Sequence, residues 1–491
     1  MSKEYIIAID QGTTSSRVVV VNKEGDVLFK EGMPIGIEET KDGQILQDAQ
    51  EIVDSVKVLI DRVFKRHQID PKEVKAIGIT NQRETTIIWN KHTGKVYYKV
   101  ISWQSKHTID ITNKWIKDGL EDIVLAKTGL KINPYFSASK IKYILETQHL
   151  NVDDLMFGTV DTFLLWHLTN KEVFKTDVTN ASRTMLFNIH EEKWDDELLK
   201  FFGIPKSILP EVVASDDYFG DFEYQGVKIP ITAMIGDQQS SLFGHQCFKN
   251  GDLKVTYGTG CFLLLNTGDE PITSKNGLLT TPAWKFNGKT TYALEGSVFM
   301  GGAIVQWLRD DLKILNNASD SERLALKSNT DDIYIVPAFV GLGTPYWDSD
   351  VRATIMGMNR KTNQFDIIKA ALNSIAYQIE DVLGVLKKDT NHEINSISCD
   401  GGASRNNYLQ QFQADISQLR VIQTKETEVT ALGAAYMAGL KIGFWKNLTE
   451  IERNKKIKQL FYPRISEEKR NKLYQNWQKA VAATISFKPV K

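Results

Sequence analysis

Cysteine is nearly absent. Cys247, Cys261 and Cys399 are odd in number and far apart along 491 residues, which argues against a disulfide framework or a thiolate metal site and points to a reducing, cytoplasmic setting. Nor does one sign of charge prevail: 60 Lys and Arg against 61 Asp and Glu leave a net charge of -1, so no global field draws nucleic acid or an anionic membrane. Long hydrophobic runs are missing too. Nowhere do about 18 apolar residues follow one another, and Met1-Ser2-Lys3-Glu4 leads into a strand without a signal core, so neither export nor a membrane span is expected. The histidines, from His67 to His392, show no metal-ligand spacing.

The commonest nucleotide loops are absent as well. The only Gly-Lys-Thr triplet, Gly288-Lys289-Thr290, has Ala283 where a Walker loop needs glycine, and Asn287-Gly288 reads as a hairpin turn. Gly258-Thr259-Gly260 and Gly341-Leu342-Gly343 lack the third glycine of a dinucleotide fingerprint. What is present is a set of three glycine-punctuated stretches, each closing an apolar run: Ile7–Ser16, Val255–Gly260 and Cys399–Ala403. Glycine lets backbone N–H groups approach phosphate oxygens, and the neighbouring Thr and Ser hydroxyls add donors. Taken singly, each stretch reads equally well as an ordinary tight turn.

The length exceeds one core at roughly 150 residues per domain, and the pattern divides it in two. Tyr5–Ile9, Arg17–Val21 and Val27–Lys30 form an expected meander, Ala76–Thr80 and Glu84–Trp89 further strands, and Glu51–Arg66 an amphipathic helix. The pattern restarts after Asn250, with Lys254–Tyr257 and Phe262–Asn266 flanking the second glycine loop, as in a diverged duplication. Ile368 to Leu386 recur at helical spacing, strand Ser396–Cys399 enters the third loop, and Glu467–Ser486 reads as a packed amphipathic helix. In open α/β sheets ligands gather beyond the carboxyl ends of strands, where Asp10, Asn81-Gln82-Arg83-Glu84 and Gly236-Asp237-Gln238-Gln239 all fall.

With these blocks, together with Thr176–Thr184, Tyr257–Phe262, Tyr292–Met300 and Asp400–Ala403, the chain resembles the FGGY carbohydrate kinases of the actin-like, ribonuclease-H-like ATPase group. The resemblance implies two duplicated α/β ribonuclease H-like domains, 1–246 and 247–491, with an interdomain catalytic cleft. It implies phosphoryl transfer from ATP, with Mg²⁺, to a terminal hydroxyl of glycerol, giving glycerol 3-phosphate as the first step of glycerol catabolism. Asp237 would be the base, its carboxylate kept ionised by a helix N-terminus. Arg83, Glu84, Trp103, Tyr135, Asp237, Gln238 and Phe262 would hold the polyol. Thr13, Thr14, Ser15, Arg17, Gly258, Thr259, Gly302, Gln306, Gly402 and Asn406 would hold the nucleotide, and Asp10 the metal. By the same analogy the protein would be a homodimer or homotetramer. A kinase for a larger sugar such as a pentulose, and a non-enzymatic nucleotide-binding protein, are the alternatives. The chain departs from the family pattern at Asp42–Asp48, His107 and Tyr143, which bears on loop packing, assembly or regulation more than on catalysis.

Overall fold

A computed structural model describes residues 3–348 and 350–487; Met1, Ser2 and the distal end of the expected span 247–491 lie outside the described residues. Six strands build the first sheet: β1 (Tyr5–Gln11), β2 (Ser15–Val21), β3 (Val27–Pro34), β4 (Val74–Asn81), β5 (Asp221–Tyr224) and β6 (Val227–Gly236), in the order β5-β6-β4-β1-β2-β3. β1, β4 and β6 run parallel, and the other pairs are antiparallel. Ile6–Ile9 is fully buried, with no alternation of apolar and polar residues, because β1 lies mid-sheet with both faces covered.

The second sheet has β7 (Leu253–Tyr257), β8 (Cys261–Gly268), β9 (Leu279–Phe286), β10 (Lys289–Val298), β11 (Ser396–Asp400), β12 (Arg420–Thr424) and β13 (Ile457–Phe461), ordered β9-β10-β8-β7-β11-β12-β13. Here β7, β11 and β12 are parallel. Each sheet thus sets an antiparallel meander beside parallel strands, the duplication expected from the restart after Asn250. Asn287 and Gly288, at φ 50° and 75°, make the turn between β9 and β10.

Helices fill the layers. α1 (Ala49–His67) starts where the Asp48 carboxylate accepts from the Gln50 and Glu51 N–H groups, and its face of Ile52, Val56, Leu59, Ile60 and Val63 is buried with the first sheet. α2 (Asp237–Gly244) follows β6 directly, and α3 (Ala303–Asp310) follows the glycines after β10. α4 (Gln364–Asp389) is the long periodic helix, opened by an Asn363/Asp366 capping box; α5 (Asn407–Ser417) follows the third glycine loop. α6 (Val429–Lys441) belongs by sequence to the second half, yet Ala434, Ala435 and Ala438 share a core with Ile6, Ala8, Ala76, Ala233 and Ile235 of the first sheet. α7 (Glu467–Ser486) packs through Leu473, Trp477, Ala480 and Val481. α2 and α6 tie the two halves together at the back, with Ser240 Oγ donating to the Thr430 carbonyl at 2.6 Å. The carboxyl ends of β1, β4, β6, β7 and β11 therefore face a common cleft.

Candidate active site

The floor of the cleft is the hairpin after β1. The Gly12 N–H donates to the Ser15 carbonyl at 2.9 Å and closes the turn. Thr13 is held twice: its carbonyl accepts from Gln47 Nε2 at 2.7 Å, and its hydroxyl accepts from Trp103 Nε1 at 2.8 Å. Gln82 Nε2 donates hydrogen bonds to Gln11 Oε1 and Gln47 Oε1 at 3.1 and 3.0 Å. The segment Asp42–Asp48 is thereby built into the hairpin's support through Gln47. Thr14 and Arg17 are exposed at the rim, and Ser15 is half-buried. Asp10 is 7 % exposed, with Arg17 Nη1 3.8 Å from its carboxylate. Burial pushes the Asp10 carboxyl up to about 7, Arg17 opposing it and Asp237 and Glu428 adding to it.

Around Arg83 and Glu84 the expected strand Glu84–Trp89 is shorter. The strand covers Ile87–Asn90, and Glu84 sits in a turn at φ 59°, its carbonyl taken by the Ser137 and Thr86 hydroxyls at 2.9 and 3.1 Å. A strand would point Arg83 and Glu84 to opposite faces; the turn directs both inward, with side chains 2 % and 1 % exposed. Arg83 donates to both oxygens of Glu295, at 2.6 and 3.0 Å, and to Gln239 Oε1 at 3.0 Å. Its Nε lies 3.4 Å from Asp237 Oδ1 and 3.8 Å from Glu84 Oε1. The Trp103 ring meets Tyr135 at 5.5 Å and Phe262 at 6.2 Å, both edge-on, so the three aromatics enclose one corner beside these charges.

Asp237 is the first residue of α2, and its Oδ1 accepts the Gln238 N–H at 2.7 Å. The expectation that the helix terminus governs its ionisation needs correction. Burial is the largest influence and raises its pKa, while Arg83 and Lys254 pull it down. Gln238 is held by Lys254 Nζ, which donates to its Oε1 at 2.5 Å and to Thr256 Oγ1 at 2.9 Å. Burial lowers the Lys254 pKa to about 8.

The opposite wall belongs to the second half. A cavity of about 640 Å³ is lined by Gly258, Thr259, Gly302, Gln306, Gly402 and Asn406, the whole expected nucleotide set from that half, together with Arg309, Glu322, Leu372 and Arg405. Gly401, at φ 88°, brings this loop against β7: a Cβ there would meet the Tyr257 carbonyl oxygen at 2.5 Å. Asn406 has a structural duty as well, its Oδ1 accepting the Leu409 N–H at 3.0 Å as the cap of α5. The residues of the first half, Thr13 to Arg17, lie on the other hairpin and do not line this cavity.

Three comparisons with known proteins bear on what this arrangement belongs to. The description of the FGGY family of carbohydrate kinases, N-terminal domain, matches residues 5–244, and that of its C-terminal domain matches residues 253–442. The chain belongs to the FGGY family of carbohydrate kinases. Among curated relatives of this FGGY kinase, the glycerol kinase of Geobacillus sp. (strain WCH70) is 47 % identical over 99 % of the chain and 100 % of its own length. That of Lactococcus lactis subsp. lactis (strain IL1403) is 48 % identical over 99 % of both. The crystal structure of Plasmodium falciparum glycerol kinase with ADP superposes with a TM-score of 0.91 at 34 % identity, covering 98 % of each chain.

The sequence reading gave no role to four residues of this kinase's cleft: Arg183, Gln239, Lys254 and Glu295. Arg183 Nε donates to Glu84 Oε1 at 2.6 Å and its Nη2 to Glu295 Oε1 at 3.0 Å. Burial opposes the Glu295 charge, but Arg183 and Arg83 hold its pKa down at about 2. Three of the four stand in segments that carry the family resemblance, and Gln239 also falls beyond a strand's carboxyl end. For a metal, no group of three or more His, Cys, Asp or Glu among the described residues could form a protein cage. The Asp10 carboxylate, with Arg17 at 3.8 Å and with Asp237 and Glu428 near enough to raise its pKa, suits Mg²⁺, which takes one or two carboxylates with phosphates and water.

Proposed function

We propose that the chain transfers the γ-phosphoryl group of ATP to a terminal hydroxyl of glycerol, forming sn-glycerol 3-phosphate as the first step of glycerol catabolism. The observation that carries this reading is the small polar corner made by Arg83, Glu84 and Asp237 under Trp103, Tyr135 and Phe262. A short polyol needs charged partners for vicinal hydroxyls and apolar walls for its carbons, and this corner supplies both. The glycerol kinases at 47 and 48 % identity add weight to that choice of acceptor.

In this reading the acceptor hydroxyl lies against Arg83 Nε and the carboxylates of Glu84 and Asp237, within hydrogen-bond reach of all three. Its oxygen forms a bond to the γ-phosphorus, the bond from that phosphorus to the β,γ-bridging oxygen breaks, and the hydroxyl proton goes to Asp237. Burial makes Asp237 a stronger base than an exposed aspartate. A loose transition state asks mainly for positioning. Thr13, Thr14, Ser15 and Arg17 cradle the terminal phosphates from one side, and Gly258 and Thr259 do so from the other. Gly302, Gln306, Gly402 and Asn406 take the α-phosphate, ribose and base, and Gln238 helps hold the acceptor. Asp10 would hold Mg²⁺, which when bound neutralises phosphate charge. The functional domains are 1–246 and 247–491, working in a cytoplasmic homodimer or homotetramer. Phosphorylation assays with glycerol, xylulose, ribulose and no acceptor test the proposal: glycerol should be preferred, and preference for a pentulose or turnover independent of acceptor would overturn it.

A further inference from the structure

Behind Arg83 and Glu84 lies a closed ring of buried charge. Glu295, on β10, has a side chain with no exposure, and so does Arg183. Glu295 receives Arg83 on both oxygens and Arg183 on one; Arg183 also holds Glu84. The Arg183 guanidinium lies 5.8 Å from the Tyr135 ring centre and 5.3 Å from that of Phe136. Glu295 comes from the second half of the chain and the other members from the first, across 212 and 112 residues.

We infer that Glu295 and Arg183 are positioning residues that set acceptor recognition, by occupying the far sides of Arg83 and Glu84. The inference rests on the kinase reading above. Arg83 has Asp237 at 3.4 Å and Glu84 at 3.8 Å from its Nε, closer than any other carboxylates except Glu295. A buried guanidinium deprived of its two-pronged partner turns to the nearest carboxylate. Without Glu295, Arg83 would pair with Asp237 or Glu84, occupying the base or the acceptor contact. With Glu295 and Gln239 in place, three of the five N–H donors of Arg83 are taken, leaving Nε, which lies beside Asp237 and Glu84, and one hydrogen of Nη2. Arg183 does the same for Glu84, engaging Oε1 from behind and leaving the other oxygen for a hydroxyl. Arg183 Nη1 is itself buried without a partner, so this ring already carries an unmatched donor before Glu295 is lost.

The test is Glu295→Gln, which keeps shape and removes charge, beside the double variant Arg183→Gln/Glu295→Gln, which removes one charge of each sign. Acceptor KM and kcat are measured with glycerol, and ATP affinity by calorimetry. For both variants acceptor KM should rise about tenfold or more and kcat should fall, with the ATP Kd within about twofold of wild type. A purely structural role would move ATP affinity along with the acceptor, and that outcome, in both variants, overturns the inference. So does wild-type acceptor KM and kcat in either folded variant. If the wild-type enzyme prefers another polyol, the acceptor assignment fails by itself, and the same comparison with the preferred polyol still decides the roles of Glu295 and Arg183.

Discussion

Replacing Gly433 by Ala should damage catalysis from behind the active site. Gly433 lies where α6 crosses α2, and a Cβ there would stand 1.9 Å from the Ser240 carbonyl oxygen and 2.7 Å from its carbon. Ordinary contact begins at 3.4 Å, so the helices must part by up to 3.4 − 1.9 = 1.5 Å. α6 has little room to retreat, because on its other side the Ala434 carbonyl already faces Gly78 of β4, where a Cβ would stand only 2.3 Å away. The displacement therefore falls largely on α2, whose first residue, Asp237, is within one turn of Ser240. Overpacking of this kind costs about 1–3 kcal/mol, within the roughly 5–15 kcal/mol that holds a typical domain folded. A reacting group misplaced by about 1 Å loses on the order of 10² in rate. The expected result is a folded protein with kcat down about 10²-fold, a Tm lowered by a few degrees and ATP affinity retained, measured by coupled ADP release, thermal unfolding and calorimetry. Gly384→Ala in α4 is the control, since its added methyl would meet only the Tyr474 hydroxyl at 4.0 Å and should stabilise by up to about 1 kcal/mol. Unchanged kcat and Tm in Gly433→Ala would refute the argument that this crossing sets the position of Asp237.

Asp237→Asn should lower kcat by about 10²–10⁴ while glycerol and ATP still bind; near-normal turnover would remove Asp237 from the mechanism. Arg83→Lys should raise acceptor KM about tenfold or more with ATP affinity unchanged, because a point charge cannot reproduce the 2.6 and 3.0 Å fork on Glu295; equal loss of both affinities would argue against the assignment. Asp161 is buried and pushed up to about 7 by that burial, against the Thr159 and Thr176 hydroxyls that donate to it. The folded chain therefore holds a proton that the unfolded chain releases near its ordinary 3.8, and the associated stability is full below 3.8 and lost as pH rises through about 7. Melting curves should show wild type losing ground to Asp161→Asn between about pH 4 and 7, and a constant difference would contradict the raised pKa.

Much of this was legible because the signals were local. The strand ends at Asp10, Asn81 and Gly236 and the three glycine loops follow from apolar runs and their punctuation, and they lead to one cleft. Glu84 was misread as strand because its neighbours Thr85–Trp89 have strand-like composition; its turn is fixed by Ser137, which is 53 residues away. Arg183 and Glu295 were passed over for the same reason on a longer scale. Each is an ordinary charged residue locally, and its meaning appears only when a partner 99 or 112 residues distant arrives. Distance along the chain also hid how the halves interlock. The sequence restarts after Asn250, yet α6 lies on the first sheet and the β9–β10 hairpin grips the first half through the Thr280 N–H to the Gly129 carbonyl, Tyr292 Oη to the Ile189 carbonyl, and Lys285 and Thr290 to Glu192. An opening of the cleft that leaves these bonds intact cannot separate the acceptor corner from Glu295. The hairpin Thr13–Arg17 and the cavity around Gly402 take no part in these bonds, and a nucleotide held as proposed would enter and leave between them.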